Sequence, residues 1–146
     1  MHEMRIRIRP TQVDTFGHLN NAAYLELFEW ARWEWAEVSG LDIERLAAEQ
    51  RIGPAVLHVD LSFTKEIRMH EAVAIQTWVQ ELQRVKGVMG QRMLKADGQP
   101  AAQLWLTFAM FNLDKRRAVA MPDGLQTAYQ ADAGHRAQLA EKTAKK

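Results

Sequence analysis

The stretch of sequence that decides the fold is residues 12–40, QVDTFGHLNNAAYLELFEWARWEWAEVSG. Its first part is rich in turn-forming residues. From Ala22 onward, apolar residues recur at steps of three and four, which is the spacing of one face of a helix. Asn20 or Asn21 suits the cap before such a helix, and Gly40 suits the left-handed residue that ends one. The stretch therefore predicts a turn-rich loop followed by one amphipathic helix of roughly 18 residues.

Alternating apolar and polar residues on both sides of this stretch predict strands. The clearest alternation runs from Ala55 to Thr64, where residues 55, 57, 59, 61 and 63 are apolar and should share one face. Lys86-Gly87 predicts a turn, and Asp97-Gly98 predicts a hairpin. The remaining predicted elements are strands over residues 5–9, 72–83, 88–95, 102–110 and 117–120, and helices over 42–50 and from 122.

The order of these elements predicts an α+β fold, because the helices are segregated from an antiparallel meander. A curved antiparallel sheet wrapped around the long helix would bury both apolar faces, although periodicity alone does not choose this topology from several. The length of 146 residues suits one domain. We place that domain at residues 1–133 and expect the polar residues 134–146 to form a frayed, solvated tail.

Composition and charge argue against several classes of protein. The net charge is +1, with 19 basic and 18 acidic residues, so nothing indicates a nucleic-acid partner. No run of about 18 apolar residues is present to span a membrane, and the amino terminus has no apolar signal segment. The absence of cysteine excludes disulfides and thiolate nucleophiles. We expect a cytoplasmic protein.

Serine, phosphate-loop and metal chemistry are not indicated either. The two serines, Ser39 and Ser62, lie outside any G-x-S-x-G elbow. The sequence has no Gly-rich phosphate loop, and its five histidines are scattered without H-E-x-x-H spacing. We therefore expect an activity that needs no metal and no cofactor.

The residues best suited to catalysis precede the long helix: Asp14 and His18 in the loop, and Asn20 and Asn21 at its end. Free N–H groups and the helix dipole favour negative charge at a helix start, as an oxyanion hole does. Beside them, Asp14 can act as a general base or as a nucleophile. These are the parts that acyl transfer requires. Each residue also has a simpler possible role. Asp14 suits a turn, His18 could form a hydrogen bond with the loop backbone, and either Asn could cap the helix.

The loop and the helix start together carry a longer pattern. It reads Asp14-x-x-Gly17-His18-Leu19-Asn20-Asn21-x-x-Tyr24-Leu25-Glu26 and continues through Glu29-x-Ala31-Arg32. The pattern closely resembles the signature of the hotdog-fold acyl-CoA thioesterases of the 4-hydroxybenzoyl-CoA thioesterase superfamily. Within that superfamily it is most similar to the branch of bacterial long-chain acyl-CoA thioesterases.

The resemblance implies a hotdog fold, in which the sheet wraps around the long helix. It places Asp14 at the family's catalytic carboxylate position and implies that the backbone N–H near Asn21 polarises the thioester carbonyl. The other candidate substrate-binding residues are Gly17, His18, Asn20, Tyr24 and Thr64. The sequence departs from many relatives at Lys65-Glu66, where they have Arg-Pro or a similar pair.

The activity that the resemblance implies is hydrolysis of an acyl-CoA to a free acid and CoA, with CoA as part of the substrate. Three alternatives stay open: acyl carrier protein as the carrier, an enoyl-CoA hydratase, and a non-catalytic acyl-CoA-binding protein. The branch favours medium to long fatty acyl groups, for which the candidate lining is Leu27, Phe28, Trp30 and Phe63. The resemblance also implies a homodimer or a dimer of dimers, with part of each site, near residues 58–64, supplied by the partner subunit.

Overall fold

An antiparallel sheet and a set of helices make up residues 1–144, the part of the chain that the computed structural model describes. The strands are β1 (His2–Arg7), β2 (Ile52–Phe63), β3 (Ala72–Leu82), β4 (Lys86–Lys95), β5 (Pro100–Asn112) and β6 (Arg117–Val119). The helices are α1 (Asn21–Val38), α2 (Ile43–Arg45, extended by a π turn over Leu46–Gln50), α3 (Asp123–Ala131) and α4 (Ala133–Ala144). The predicted α+β class is confirmed. No helix in residues 1–144 is long and apolar enough to cross a membrane.

The sheet has the strand order β1-β3-β4-β5-β2, and every pairing is antiparallel. β6 pairs with the last residues of β5. β2 is therefore an edge strand: β5 occupies one of its sides, and no strand within residues 1–144 occupies the other. Because β2 is 12 residues long, it presents a long row of backbone N–H and C=O groups without a partner strand.

Helix α1 has the length and the ends that the sequence predicts. Asn20 is the cap, and its side chain accepts a hydrogen bond from the N–H of Ala23 at 2.8 Å. At the other end Gly40 has a φ of +73°. The N–H of Gly40 donates to the C=O of Glu37, and the N–H of Leu41 donates to that of Ala36, which is the paired bonding of a Schellman motif.

The face of α1 that packs inward is the one that the periodicity predicts. Leu27, Phe28 and Ala31 are fully buried, and the helix packs chiefly against β1 and β3. From the sheet, the apolar face of β5 completes the core through Ala102, Leu104, Leu106, Phe108 and Met110. Removing a buried side chain such as Leu27 would cost about 2–5 kcal/mol of stability, so the position of α1 on the sheet is firmly fixed.

β2 departs from the single-face alternation predicted for residues 55–63. Val56 pairs with Phe108 and His58 with Thr107, which leaves Leu57 as the extra residue of a β-bulge. A bulge reverses which residues point inward. Val56 consequently faces α1 before the bulge, whereas Leu61 and Phe63 face it afterwards. The prediction that residue 55 shares the face of residue 61 is therefore wrong.

Two other boundaries differ from the prediction. β1 ends at Arg7 rather than residue 9, and Pro10 opens a turn of 3-10 helix. The turn expected at Lys86-Gly87 lies over residues 83–85, closed by a hydrogen bond from the N–H of Gln83 to the C=O of Lys86. Lys86 and Gly87 belong to β4 instead.

The frayed tail predicted for residues 134–146 is wrong as far as residue 144, because α4 begins at Ala133 and packs on the sheet. The ring of His135 lies 4.8 Å from that of Trp78, and Arg136 donates from Nη1 to the C=O of Val79 at 2.8 Å. Asp132, only 2% exposed, accepts the N–H of Val79 and pairs with the amino terminus of Met1. The polar composition concealed the helical spacing of the residues that face inward. Lys145 and Lys146 lie outside the described residues.

The burial of His135 makes the stability of the fold depend on pH. Burial, followed by the ammonium group of Met1, holds the pKa of His135 below its usual value. The unfolded chain therefore binds the proton more tightly than the native chain does, so unfolding is favoured as pH falls below about 6.5. Arg92 and Lys142 act in the same direction, whereas Asp132 opposes them.

We expect the free energy of unfolding, measured by chemical denaturation, to fall more steeply between about pH 7 and 5 in the wild type than in His135→Phe. Phe keeps an aromatic ring against Trp78 but cannot titrate. Identical pH dependence in the two proteins would contradict this explanation.

Candidate active site

The loop before α1 is a tight turn built around Asp14. The Oδ1 atom of Asp14 accepts hydrogen bonds from the N–H of Phe16 at 2.9 Å and from that of His18 at 3.2 Å. Gly17 has a φ of +77°, and its N–H donates to the C=O of Asp14 at 3.0 Å. Asp14 is thus the turn former that its position in the sequence suggests. Its second carboxylate oxygen has no partner among residues 1–144, and the side chain is exposed.

The start of α1 leaves backbone donors free next to this turn. The side chain of Asn20 satisfies the N–H of Ala23, and its C=O accepts the N–H of Tyr24 at 3.2 Å. The N–H groups of Asn21 and Ala22 have no acceptor in the described part of the chain, as expected for the first turn of a helix. Asn21 and Ala22 are also exposed, so an oxygen atom of a ligand can approach these donors.

His18 does not use its ring as the sequence suggested. Instead of bonding to the loop backbone, its Nε2 lies 2.5 Å from Oε2 of Glu66. Glu66 also pairs with Arg68 at 3.1 Å, and the N–H of Leu19 donates to the C=O of Ile67 at 2.7 Å. The segment after β2 therefore holds the loop from one side.

Glu66 is a residue that sequence reasoning missed. The one signal for it in the sequence is the departure from the family pattern at Lys65-Glu66, to which the sequence alone gives no role. The contact arises only because the chain returns from β2 past the loop, and no local pattern near His18 reveals this.

Tyr24 and Thr64 lie outside the loop and differ in their exposure, since Thr64 is open to solvent. Tyr24 is buried, and its ring meets that of Phe63 edge to face at 4.9 Å. Burial, with the carboxylates of Glu71 and Glu66, raises the pKa of Tyr24. Thr64 donates from Oγ1 to the C=O of Pro100 at 2.9 Å. Thus Asp14, Gly17, His18, Asn20 and Asn21 form one cluster, whereas the hydroxyl of Thr64 bonds to Pro100 instead.

Several apolar side chains of the loop, of α1 and of β2 are open to solvent. Phe16 is 81% exposed, and Leu25, Val59 and Phe63 are exposed as well. An apolar surface of this kind suits an apolar ligand or another protein surface. Of the lining predicted from the sequence, Phe63 and Trp30 are accessible, whereas Leu27 and Phe28 are fully buried in the core.

The arrangement supplies a free carboxylate oxygen, unpaired backbone donors at a helix start, and an apolar surround. Within residues 1–144 there is no group of three or more His, Asp or Glu side chains placed to hold a metal ion. The chemistry available to the cluster is therefore attack on an electrophilic centre whose developing negative charge the helix start can stabilise.

This fold and site define a class of proteins. A family model described as the thioesterase-like superfamily matches residues 8–129, and the chain belongs to that superfamily. Over 125 residues it is 27% identical to the long-chain acyl-CoA thioesterase FadM of Escherichia coli (strain K12), covering 85% of this chain and 93% of FadM.

Solved structures confirm the predicted hotdog fold. The probable thioesterase YbaW from Escherichia coli superposes with a TM-score of 0.76 at 26% identity, over 86% of this chain and 94% of YbaW. A hypothetical protein from Staphylococcus aureus, determined in complex with CoA, superposes with a TM-score of 0.80 at 15% identity, over 88% of this chain and 83% of its own.

Proposed function

We propose that this chain is an acyl-CoA thioesterase that hydrolyses long-chain acyl-CoA to the free acid and CoA. The observation that carries the proposal is that one loop and the helix start after it supply both a free carboxylate oxygen, on Asp14, and unpaired N–H groups, at the start of α1. Membership of the thioesterase-like superfamily, the similarity to FadM, and the CoA bound to a protein of the same fold support it.

In the proposed reaction the thioester carbonyl oxygen lies against the N–H groups of Asn21 and Ala22. Asp14 either removes a proton from water as the water attacks the carbonyl carbon, or attacks that carbon itself and forms an anhydride that water then opens. In both routes the oxyanion develops at the helix start, where the dipole and the N–H donors stabilise it. Collapse of the oxyanion breaks the carbon–sulfur bond and releases the CoA thiolate, which leaves the free acid in the first route and the anhydride, still to be opened by water, in the second.

The placement of His18 favours thioester hydrolysis over hydration of an enoyl-CoA. A hydratase needs an Asp and a His that act as a dyad, but the His18 ring is directed to Glu66, and Asp14 meets only the backbone N–H and C=O of His18. Glu66 fixes the orientation of the His18 ring, which therefore shapes the wall of the site.

We also propose that the working form is a homodimer or a dimer of dimers with sites shared between subunits. The free edge of β2 and the exposed Val59 and Phe63 support this, since a two-fold axis at such an edge pairs the unsatisfied backbone groups of both copies. Residues 58–64 of each copy would then border the loop of the other, and Thr64 would act in the partner's site.

We expect thiol release from at least one acyl-CoA in a panel of straight-chain and aromatic thioesters, with the highest specificity constant for a long alkyl chain. Because catalysis is assigned to a carboxylate and backbone donors, EDTA should leave the rate unchanged. A thiol-trapping absorbance assay measures both. No release above background, or release that EDTA abolishes, would contradict the proposal, and a preference for benzoyl-type thioesters would contradict the assigned acyl group.

A further inference from the structure

Arg32 occupies an unusual place on α1 for a charged residue. It is half-buried on the side of the helix that faces the sheet interior, and its Nη1 donates to Oε1 of Gln91 at 2.8 Å. Gln91 is fully buried and donates in turn to the C=O of Phe28 at 2.8 Å and to Oγ1 of Thr77 at 3.0 Å. This network holds the guanidinium in one position.

The guanidinium of Arg32 forms no salt bridge within residues 1–144, although Glu29 lies one turn earlier on the same helix. Burial lowers the pKa of Arg32, and the nearby Glu29 only partly offsets this. An arginine has five N–H donors, and the described residues supply an acceptor for just one group, Nη1. An uncompensated, partly desolvated charge is costly, so a bound anion would be stabilised here.

The guanidinium borders a cavity of about 180 Å³ between the second half of α1 and the sheet. Apart from Arg32 and Glu29, its wall is largely apolar and includes Ala36, Pro54, Val56, Met89, Phe108 and Met110. The volume is several times the roughly 30 Å³ that one water molecule occupies in the liquid. Such a wall offers water few hydrogen bonds and suits a hydrocarbon chain.

The cavity lies at a definite distance from the proposed reaction centre. Arg32 follows Asn21 by three turns of α1, about 16 Å along the axis at 1.5 Å per residue. Between them, α1 packs chiefly on β1 and β3, and Val56 and Val59 of β2 remain exposed. The carbon–carbon bonds of an extended alkyl chain are about 1.5 Å long and follow a zigzag. Such a chain therefore needs roughly a dozen carbons to span that distance.

We propose that this cavity receives the far end of the acyl group and that Arg32 binds a carboxylate carried there. Long acyl groups with a terminal carboxylate, the half-thioesters of dicarboxylic acids, are then substrates. The inference rests on the proposed thioesterase function, because that function is what places an acyl chain along α1. The guest carboxylate supplies the counterion that Arg32 lacks, and the apolar wall holds the methylenes that precede it.

The test compares matched thioesters that differ only in the terminal group, such as dodecanoyl-CoA and the mono-CoA thioester of dodecanedioic acid, over chains of about eight to sixteen carbons. In the wild type, the ratio of kcat/KM for the carboxylated over the plain chain should peak at the length that reaches Arg32. In Arg32→Met, kcat/KM for the carboxylated chain should fall roughly 10- to 100-fold, the range for a hydrogen bond to a charged group. The kcat/KM for the plain chain should fall far less, so the ratio of the two values should drop.

Two further variants separate this role from a structural one. Arg92 is also partly buried and bonds to a glutamine, Gln103, but does not border the cavity, so Arg92→Met should leave the ratio unchanged. Glu29→Gln removes a carboxylate that competes with the substrate for Arg32, so it should raise the ratio of kcat/KM for the carboxylated over the plain chain.

Calorimetric binding of free dodecanedioate and dodecanoate gives a readout that does not depend on turnover. Binding that favours the diacid and requires Arg32, in a protein that hydrolyses no thioester, would support the anion site and reject the proposed function. The protein could instead hydrolyse thioesters with the same ratio of kcat/KM, carboxylated over plain chain, in the wild type and in Arg32→Met at every length. That result would overturn the inference and leave the proposed function standing. If Arg32→Met does not fold, the wild-type length series decides, since a preference for the plain chain at every length overturns the inference.

Discussion

Asp14→Asn is expected to lower kcat by roughly 10²–10⁴-fold, the usual range for loss of a general base. The amide keeps an oxygen that can accept the N–H groups of Phe16 and His18, as Oδ1 does in the native turn. What is lost is the second, free carboxylate oxygen, which is the basic or nucleophilic atom of the proposed mechanism. Substrate affinity should change little, because the donors at the start of α1 are untouched.

The matched control for this substitution is Asp42→Asn. Asp42 also caps a turn through Oδ1, which accepts the N–H of Arg45 at 2.8 Å, but it lies beyond the far end of α1. Its amide variant should keep wild-type turnover, and thermal melts of both variants should show intact folding. If Asp14→Asn retained near-normal kcat in steady-state assays, Asp14 would be a turn former alone and the proposed chemistry would fail.

The sequence predicted α1 and its loop well because the signals there are local. The cap at Asn20, the apolar stripe and the left-handed Gly40 all act within a few residues of the helix that they define. The same locality exposed the cluster from Asp14 to Asn21. It did not reveal that one oxygen of Asp14 is anchored and the other free, since that depends on the conformation of the whole turn.

Features that depend on distant pairing escaped the sequence. The bulge at Leu57 exists only in the register of β2 against β5, so alternation along β2 gave the wrong face for its first residues. The contact of Glu66 with His18 needs the return of the chain past the loop. Helix α4 looked like a tail because its inward face is marked by His135 and Arg136, whose role requires Trp78 and Val79 of β3.

The shared-site arrangement predicts the other large effect. Leu57 and Val59 are exposed on β2, whose outer edge has no partner strand in residues 1–144. We expect the double variant Leu57→Lys/Val59→Lys to be a monomer by light scattering, because a two-fold axis at this edge would bring four added charges together. Its kcat/KM should fall by at least roughly 10²-fold, since even small misplacement of a site wall has that effect.

A control and a rescue make this test decisive. Val38→Lys also replaces an exposed apolar residue with lysine, but on α1 rather than on β2, and it should keep both the assembly and the activity. Mixing the β2 lysine variant with Leu57→Glu/Val59→Glu should restore dimers and turnover through opposite charges. If the lysine copy also carries Asp14→Asn, the mixed dimer should keep about half of that restored activity, because one of its two sites retains a carboxylate. A lysine variant that is monomeric yet fully active would show that each subunit holds a complete site and would reject the shared wall.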